Sequence, residues 1–268
     1  MQGNDNHPAS YYVATAKEMA ERPALSGEER ADVCVIGGGF TGISAALNLA
    51  EKGYDVVLLE AERLGYGASG RCGGLIGSGQ RKDVLEMEHL YGADQSRVLW
   101  DFAEAAKEEI RSRVKKHRIQ CDLQKGQVVG IHKQSYCDWP QELADALAER
   151  YDYPHCRALD ASEVGDMVAT PTFLGGLWDA EAMTLHPLNY VLGLAQAATE
   201  AGVRIYENSR VRWYTRKNPS DVKTRHGSVR ASFVVLACNG YLGKLERRVA
   251  GKIMPINNFM IATEPLGR

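Results

Sequence analysis

Nothing in this chain reads as a passage through a lipid bilayer. No run of about 18 apolar residues occurs, and a spanning helix needs roughly that length. The polar start, Met1 to Pro8, lacks the basic-then-apolar order of a secretory signal. Charge of one sign is missing too: 32 Lys+Arg against 34 Asp+Glu leave a net charge of −2. That balance excludes nucleic-acid binding driven by bulk charge and gives no reason to expect a membrane surface as partner. Cysteine is sparse and scattered. Cys34, Cys72, Cys121, Cys137, Cys156 and Cys238 contain no C-x-x-C pair, which argues against a zinc site and against a disulfide framework. The expectation is a reducing, cytoplasmic compartment and no metal. Internal repeats and low-complexity tracts are absent. The seven histidines are dispersed, and no Ser-His-Asp or Cys-His constellation is visible. His186 precedes a helix-starting proline and reads as a packing or capping residue.

What remains is ordinary globular material, 44 % hydrophobic and 25 % charged over 268 residues, enough for one large domain or two modest ones. Residues 1–30 are polar and read as an arm that docks by Tyr11 and Tyr12. At Ala31 the texture changes. Val33–Ile36 is a short apolar run of the kind that forms a strand buried on both faces. Ile43, Ala46, Leu47, Leu49 and Ala50 then follow at helical spacing, Gly53 supplies an achiral C-cap, and Val56–Leu59 is a second buried strand. This is a βαβ unit. Residues 83–118 predict a long helix with an apolar stripe of Leu99, Phe102, Ala106, Ile110 and Val114. Further expectations are strands at 127–132, 173–178, 203–206, 211–215 and 258–263, helices at 134–150 and 187–201, and a third strongly buried strand at Phe233–Ala237.

The sharpest signal is Gly37-Gly38-Gly39-Phe40-Thr41-Gly42, a G-x-G-x-x-G turn between the first strand and the helix. Gly37 permits the tight turn, Gly39 allows a pyrophosphate to approach the backbone, and Gly42 lets the helix pack on the sheet. The helix N-terminus offers unpaired N–H groups to phosphates. Glu60 ends the second strand, 18 residues after Gly42, where a carboxylate can accept from a ribose diol and would repel a 2′-phosphate. A glycine-turned βαβ unit without a nucleotide is the competing reading. The turn alone does not separate FAD from NAD. The Gly/Ser-rich stretch Gly65-Tyr66-Gly67-Ala68-Ser69-Gly70-Arg71-Cys72-Gly73-Gly74 does, because an NAD domain normally enters a plain helix there; an exposed flexible loop is its competing reading.

With these segments, with Ser10-Tyr11-Tyr12, with Leu185–Asn189 and with Ala237–Gly243, the chain resembles the FAD-dependent oxidases of the D-amino-acid oxidase and sarcosine oxidase family, and within it the gamma-glutamylputrescine oxidase type. The resemblance covers nearly the whole chain. It implies an α/β fold: a Rossmann-like FAD-binding domain built from discontinuous segments, 31–118 and 184–248, and a partial mixed-sheet substrate domain, 119–183 and 249–268. It implies FAD as cofactor. Gly37, Gly39, Phe40, Thr41 and Gly42 would hold its pyrophosphate, and Glu60, with Ala61 and Arg63 beside it, the ribose. Val211 would meet the adenine, Ser69, Gly70, Arg71, Gly73 and Gly74 would lie along the flavin side, and Ala237 and Asn239 would end the third strand near the crevice. The implied chemistry is oxidation of the C–N bond of an amine or amino acid, with the small-molecule amine and dioxygen as partners. Cys72 stands where the family usually has Asn. Relatives of this kind run past 400 residues, so the chain reads as C-terminally truncated, with the family's substrate-contacting groups largely in the missing part. A noncatalytic nucleotide-binding fragment and an NAD-dependent dehydrogenase are the alternatives.

Overall fold

The computed structural model describes residues 7–17, 21–261 and 263–264. In chain order the elements are α1 (Tyr11–Ala14), β1 (Gly27–Ile36), α2 (Phe40–Glu51), β2 (Val56–Leu59), β3 (Leu75–Ile76), α3 (Val84–Tyr91), α4 (Ala93–Lys116), β4 (Gln124–Ile131), α5 (Trp139–Tyr151), β5 (Cys156–Asp160) and α6 (Ala161–Val168). There follow β6 (Gly175–Thr184), α7 (Pro187–Glu200), β7 (Arg204–Tyr206), β8 (Trp213–Tyr214), β9 (Ser220–Lys223), β10 (Gly227–Leu236) and α8 (Arg247–Ala250). They form two compact units, Met1–Gly73 with Pro187–Arg268, and Gly74–His186.

The first unit is built on a six-stranded sheet in the order β7-β2-β1-β10-β9-β8. β7, β2, β1 and β10 run parallel, β9 pairs antiparallel with β10, and β8 pairs antiparallel with β9. The apolar runs of β1 and β2 are buried because they occupy interior places in this sheet, and Cys34, Ile36, Val57 and Leu59 join Val222, Val229 and Ala231 in one core. β1 begins earlier than its apolar run. Its polar half, Gly27–Ala31, pairs residue for residue with Gly227–Ala231 of β10. A neighbouring strand of equal length satisfies backbone groups whatever the side chains, so part of the expected arm is sheet. β10 corrects a second expectation. Side chains alternate along a strand: Val234 and Leu236 pack toward the core, which leaves Phe233 on the opposite face, 61 % exposed.

The second unit carries a sheet in the order β3-β6-β4, with β5 also paired to β6. The ten-residue β6 is its spine, and every pairing is antiparallel. Val84, Trp100, Leu143, Leu147 and Leu177 bring α3, α4, α5 and β6 into one core. Residues 74–118 group here, whereas the sequence reading placed them with 31–73, and the described residues beyond 248 group with the first unit. The expected long helix is two helices, broken at Gly92 with φ +80°. The buried residues of α4 are Ser96, Trp100 and Lys107, whereas Phe102 of the expected stripe is 72 % exposed. Aromatic packing and ion pairing decide this: Trp100 meets the rings of Tyr151 and Tyr153 at 5.4 and 5.1 Å, and Lys107 pairs with Glu104 at 2.6 Å. β5 and α6 escaped the sequence reading. α6 begins with a reciprocal capping box between Asp160 and Glu163, a D-x-x-E signal that was legible. The expected strand at 258–263 includes residue 262, outside the described residues; its described residues belong to no strand, and Phe259 and Ile261 are exposed.

A buried ion pair ties the loop after β2 to the end of β7. Glu207, 1 % exposed, lies 3.1 Å from Arg63 Nε and accepts from the Leu64 N–H at 2.7 Å. Removing the carboxylate leaves a buried guanidinium without its counter-charge. Glu207→Ala is expected to cost about 3–5 kcal/mol of stability, read as the shift of the urea unfolding midpoint.

Candidate functional site

The carboxyl ends of β1, β2 and β10 open onto a crevice lined by Gly37–Gly39, Glu60–Glu62, Tyr66–Ser69, Arg210, Val211 and Ala237–Asn239. Its floor is the glycine turn. Gly37 has φ +115°, and a side chain there would come within 2.5 Å of the Ala237 carbonyl oxygen. A Cβ on Gly42 would overlap the Gly37 carbonyl oxygen, so the first turn of α2 sits directly on the end of β1. Gly39 is the N-cap of α2 and has no capping side chain of its own. The cap comes from Ser69: its Oγ accepts from the Phe40 N–H at 3.1 Å. A Cβ on Gly39 would stand 2.8 Å from that oxygen.

Glu60 closes the crevice on the β2 side. Its Oε2 accepts from the Gly38 N–H at 2.5 Å and its Oε1 from the Glu62 N–H at 2.9 Å. Burial pushes the carboxyl above the ordinary range, and those amides oppose the shift without cancelling it. The carboxylate thus holds the phosphate-type turn in shape and faces the cavity with its remaining acceptor capacity. Glu62, one residue beyond Ala61, pairs with Arg210 at 2.6 Å. On the far side, Cys238 Sγ donates to the Ile36 carbonyl at 3.3 Å, and burial, with Glu60 as a further influence, pushes the thiol up to about 11.

The Gly/Ser-rich stretch divides by role. Tyr66, Gly67, Ala68 and Ser69 line the crevice. Gly70 is buried, where a Cβ would overlap the Gly65 carbonyl oxygen. Arg71 folds back on its own loop, with Nε donating to the Tyr66 carbonyl at 2.8 Å and its guanidinium 5.0 Å over the Tyr66 ring. Gly73 is exposed, and Gly74 belongs to the second unit. Among the other candidates, Gly37, Gly39, Glu60, Ala61, Val211, Ala237 and Asn239 line the crevice. Phe40 packs on Tyr190 at 5.6 Å, Thr41 is exposed, and Gly42 is a packing residue. Arg63 is committed to Glu207 and is absent from the lining. The lining residues that sequence reasoning missed are Ile36, Gly38, Leu59, Glu62, Tyr66, Gly67, Ala68, Arg210, Cys238, Tyr241, Leu242 and Leu245. Gly38, Tyr66, Gly67, Ala68, Cys238, Tyr241 and Leu242 lie inside segments already singled out, while Arg210 and Leu245 carry no local signal. His186 is buried, and its backbone N–H donates to the Cys121 carbonyl at 2.7 Å. Among the described residues no group of acidic, His and Cys side chains could hold a metal ion, and no helix is long and apolar enough to cross a membrane.

A parallel sheet with a glycine turn at its carboxyl edge, a helix N-terminus over that turn and a carboxylate at the end of the next strand define a dinucleotide-binding α/β protein. Comparison with known proteins supplies the rest: residues 32–268 match the model of the DAO family, described as FAD dependent oxidoreductase, and the chain belongs to that family. This decides between the FAD and NAD readings. The chain is 39 % identical over 261 residues to gamma-glutamylputrescine oxidoreductase of Escherichia coli, covering 97 % of this chain and 61 % of that protein. It is 38 % identical over 267 residues to the probable oxidoreductase OrdL of Haemophilus influenzae, covering 98 % and 62 %. Among solved structures it is similar to the L-amino acid deaminase of Proteus myxofaciens, with a TM-score of 0.66 and 26 % identity over 83 % of this chain and 48 % of that one. The chain spans about 60 % of the length of the curated relatives it matches.

One substitution and one pH titration probe the crevice. Glu60→Ala is expected to weaken FAD binding by about 1–3 kcal/mol, the scale for a charged hydrogen-bonding partner, in a flavin fluorescence titration. For the native chain the same titration should lose affinity on acidification, because protonation removes the charge and turns one oxygen into a donor; since burial holds Glu60 above the ordinary carboxylate range, the loss begins above about pH 4.3.

Proposed function

We propose that this chain binds FAD in the crevice of the first unit, and that the whole protein oxidises the C–N bond of an amine or amino acid. The observation that carries the reading is the pairing of the Gly37–Gly39 turn with Glu60 across one cavity. Bound FAD supplies a two-electron acceptor that dioxygen can reoxidise, releasing peroxide. The chain's own groups bind and orient it. The N–H groups of Gly38 and Phe40, which Glu60 and Ser69 hold, are the donors a pyrophosphate would share at the positive end of α2. Glu60 and Ala61 take the adenosine ribose, and the Val211 backbone meets the adenine. Ser69 starts the flavin side, continued by Gly70, Arg71 and Gly73, while Ala237 and Asn239 close the crevice at the end of β10. A 2′-phosphate is disfavoured beside Glu60 and Glu62.

The substrate follows from chemical likeness. The Escherichia coli relative is named for gamma-glutamylputrescine, so a primary or secondary amine of that type, with dioxygen as second substrate, is the first to test, in a cytoplasmic setting.

The exposed Phe233 on the β10 face, together with exposed Phe259 and Ile261, favours a second reading for the 268 residues taken alone: cofactor binding with little turnover. A chain with an uncovered apolar face holds an amine poorly in a reactive geometry, and such geometry is worth several kcal/mol. Purification with the visible absorption of oxidised flavin is the expected outcome, and it is lost in Gly39→Val, whose side chain would collide with Ser69. Peroxide release with an amine panel including gamma-glutamylputrescine should stay well below about 1 per second. A colourless chain that binds no FAD would overturn the assignment, and ordinary enzyme rates would overturn the second reading.

A further inference from the structure

A separate cavity of about 270 Å³ lies in the second unit, between its helices and its sheet. Its walls include Trp100, Trp139, Leu143 and Leu177, and Asp179 lines it. Asp179 is only 9 % exposed. One of its oxygens, Oδ1, accepts from the Tyr153 hydroxyl at 2.8 Å and from the N–H groups of Glu181 and Ala182, each at 3.0 Å. The other, Oδ2, takes no hydrogen bond among the described residues.

The neighbouring cation is already occupied. Lys107, 5 % exposed, has three ammonium protons and three partners: Glu104 at 2.6 Å, Ser78 Oγ at 2.7 Å and Tyr153 Oη at 3.1 Å. Tyr153 gives its own proton to Asp179, so toward Ser78 and Lys107 it accepts. The network is proton-complete. It contains two carboxylates, Glu104 and Asp179, and one ammonium, so it carries one negative charge without a counter-ion. That charge borders a cavity with two indole walls, and an indole face attracts a cation more strongly than any other aromatic side chain. At the rim, Lys82 is paired with Glu86 and Arg81 is exposed. Asp83 is held by the Glu86 N–H and by Trp139 Nε1.

We propose that this cavity binds a small primary ammonium with a short apolar tail, its charge on Asp179 Oδ2 and its tail against Trp100 and Trp139. The site is distinct from the dinucleotide crevice and needs no flavin. A neutral ligand of the same shape would fill the walls but leave the charge unanswered, and an anion would be repelled.

The test uses the 268-residue chain, titrated at constant ionic strength with n-butylammonium chloride, n-butanol and sodium butyrate. The readout is the indole N–H resonances of Trp100 and Trp139, with Trp213 of the first unit as internal control. Butylammonium should produce saturable shifts at Trp100 and Trp139 with a Kd of about 1 mM, the scale for so few heavy atoms. Butanol should bind at least about tenfold more weakly and butyrate not at all. Asp179→Asn keeps the shape and removes the charge, and should weaken butylammonium at least about tenfold while butanol is unchanged. Should that variant fail to fold, the charge series in the unaltered chain decides. Equal affinity for butanol, shifts confined to Trp213, no saturable shift, or undiminished binding by a folded Asp179→Asn chain would each overturn the proposal.

Discussion

The first unit depends on one close approach of backbone to backbone. Gly42 of α2 rests on the Gly37 carbonyl, and Gly37 in turn rests against the Ala237 carbonyl at the end of β10. Two strand ends and a helix start converge there, largely through backbone atoms. A methyl group at Gly42 would lift α2 from β1, and one at Gly37 would part β1 from the chain after β10. Because those contacts are backbone, neither neighbour can rotate away as a flexible side chain could. The crevice exists because this packing brings the positive end of α2 over the carboxyl edge of the sheet.

Carboxylates then hold the irregular chain in shape. Glu60 accepts from Gly38 and Glu62, Glu207 from Leu64, and Glu246 from Tyr214, Arg216 and the Arg248 N–H. Backbone groups in loops lack the ladder partners that helices and strands provide, and burial makes an unmet N–H costly. An acceptor with two oxygens answers two such donors at once. For Glu60 this ties the cofactor site to its own scaffold: the group that would meet a ribose also shapes the turn that would meet the phosphates.

The second unit is organised differently. Its sheet has a single ten-residue spine, β6, and the helices pack on it through aromatic rings around a buried lysine. A proton-complete network of Lys107, Ser78, Tyr153, Glu104 and Asp179 lies in the interior. Such a network is stable only when every member finds its partner, which gives the open oxygen of Asp179 its significance.

Local pattern alone determined much of the first unit. Val33–Ile36, Val56–Leu59 and the intervening helix are as the periodicity predicts, and the glycine turn and Glu60 meet across the crevice as their spacing implied. These features are readable because each rests on a short-range rule: a run length, a helical repeat, a φ that only glycine adopts easily. Tertiary structure decided what no window of sequence contains. It drew the polar Gly27–Arg30 into a strand through pairing with residues 200 positions away, and it turned Phe102 outward and Lys107 inward. It also gave Arg63 to Glu207 and brought Arg210 to the mouth of the site. In each case the choice lay with a distant partner, whether a strand edge, a ring or an opposite charge. The energy of such contacts belongs to the folded arrangement and leaves no trace in the neighbouring residues.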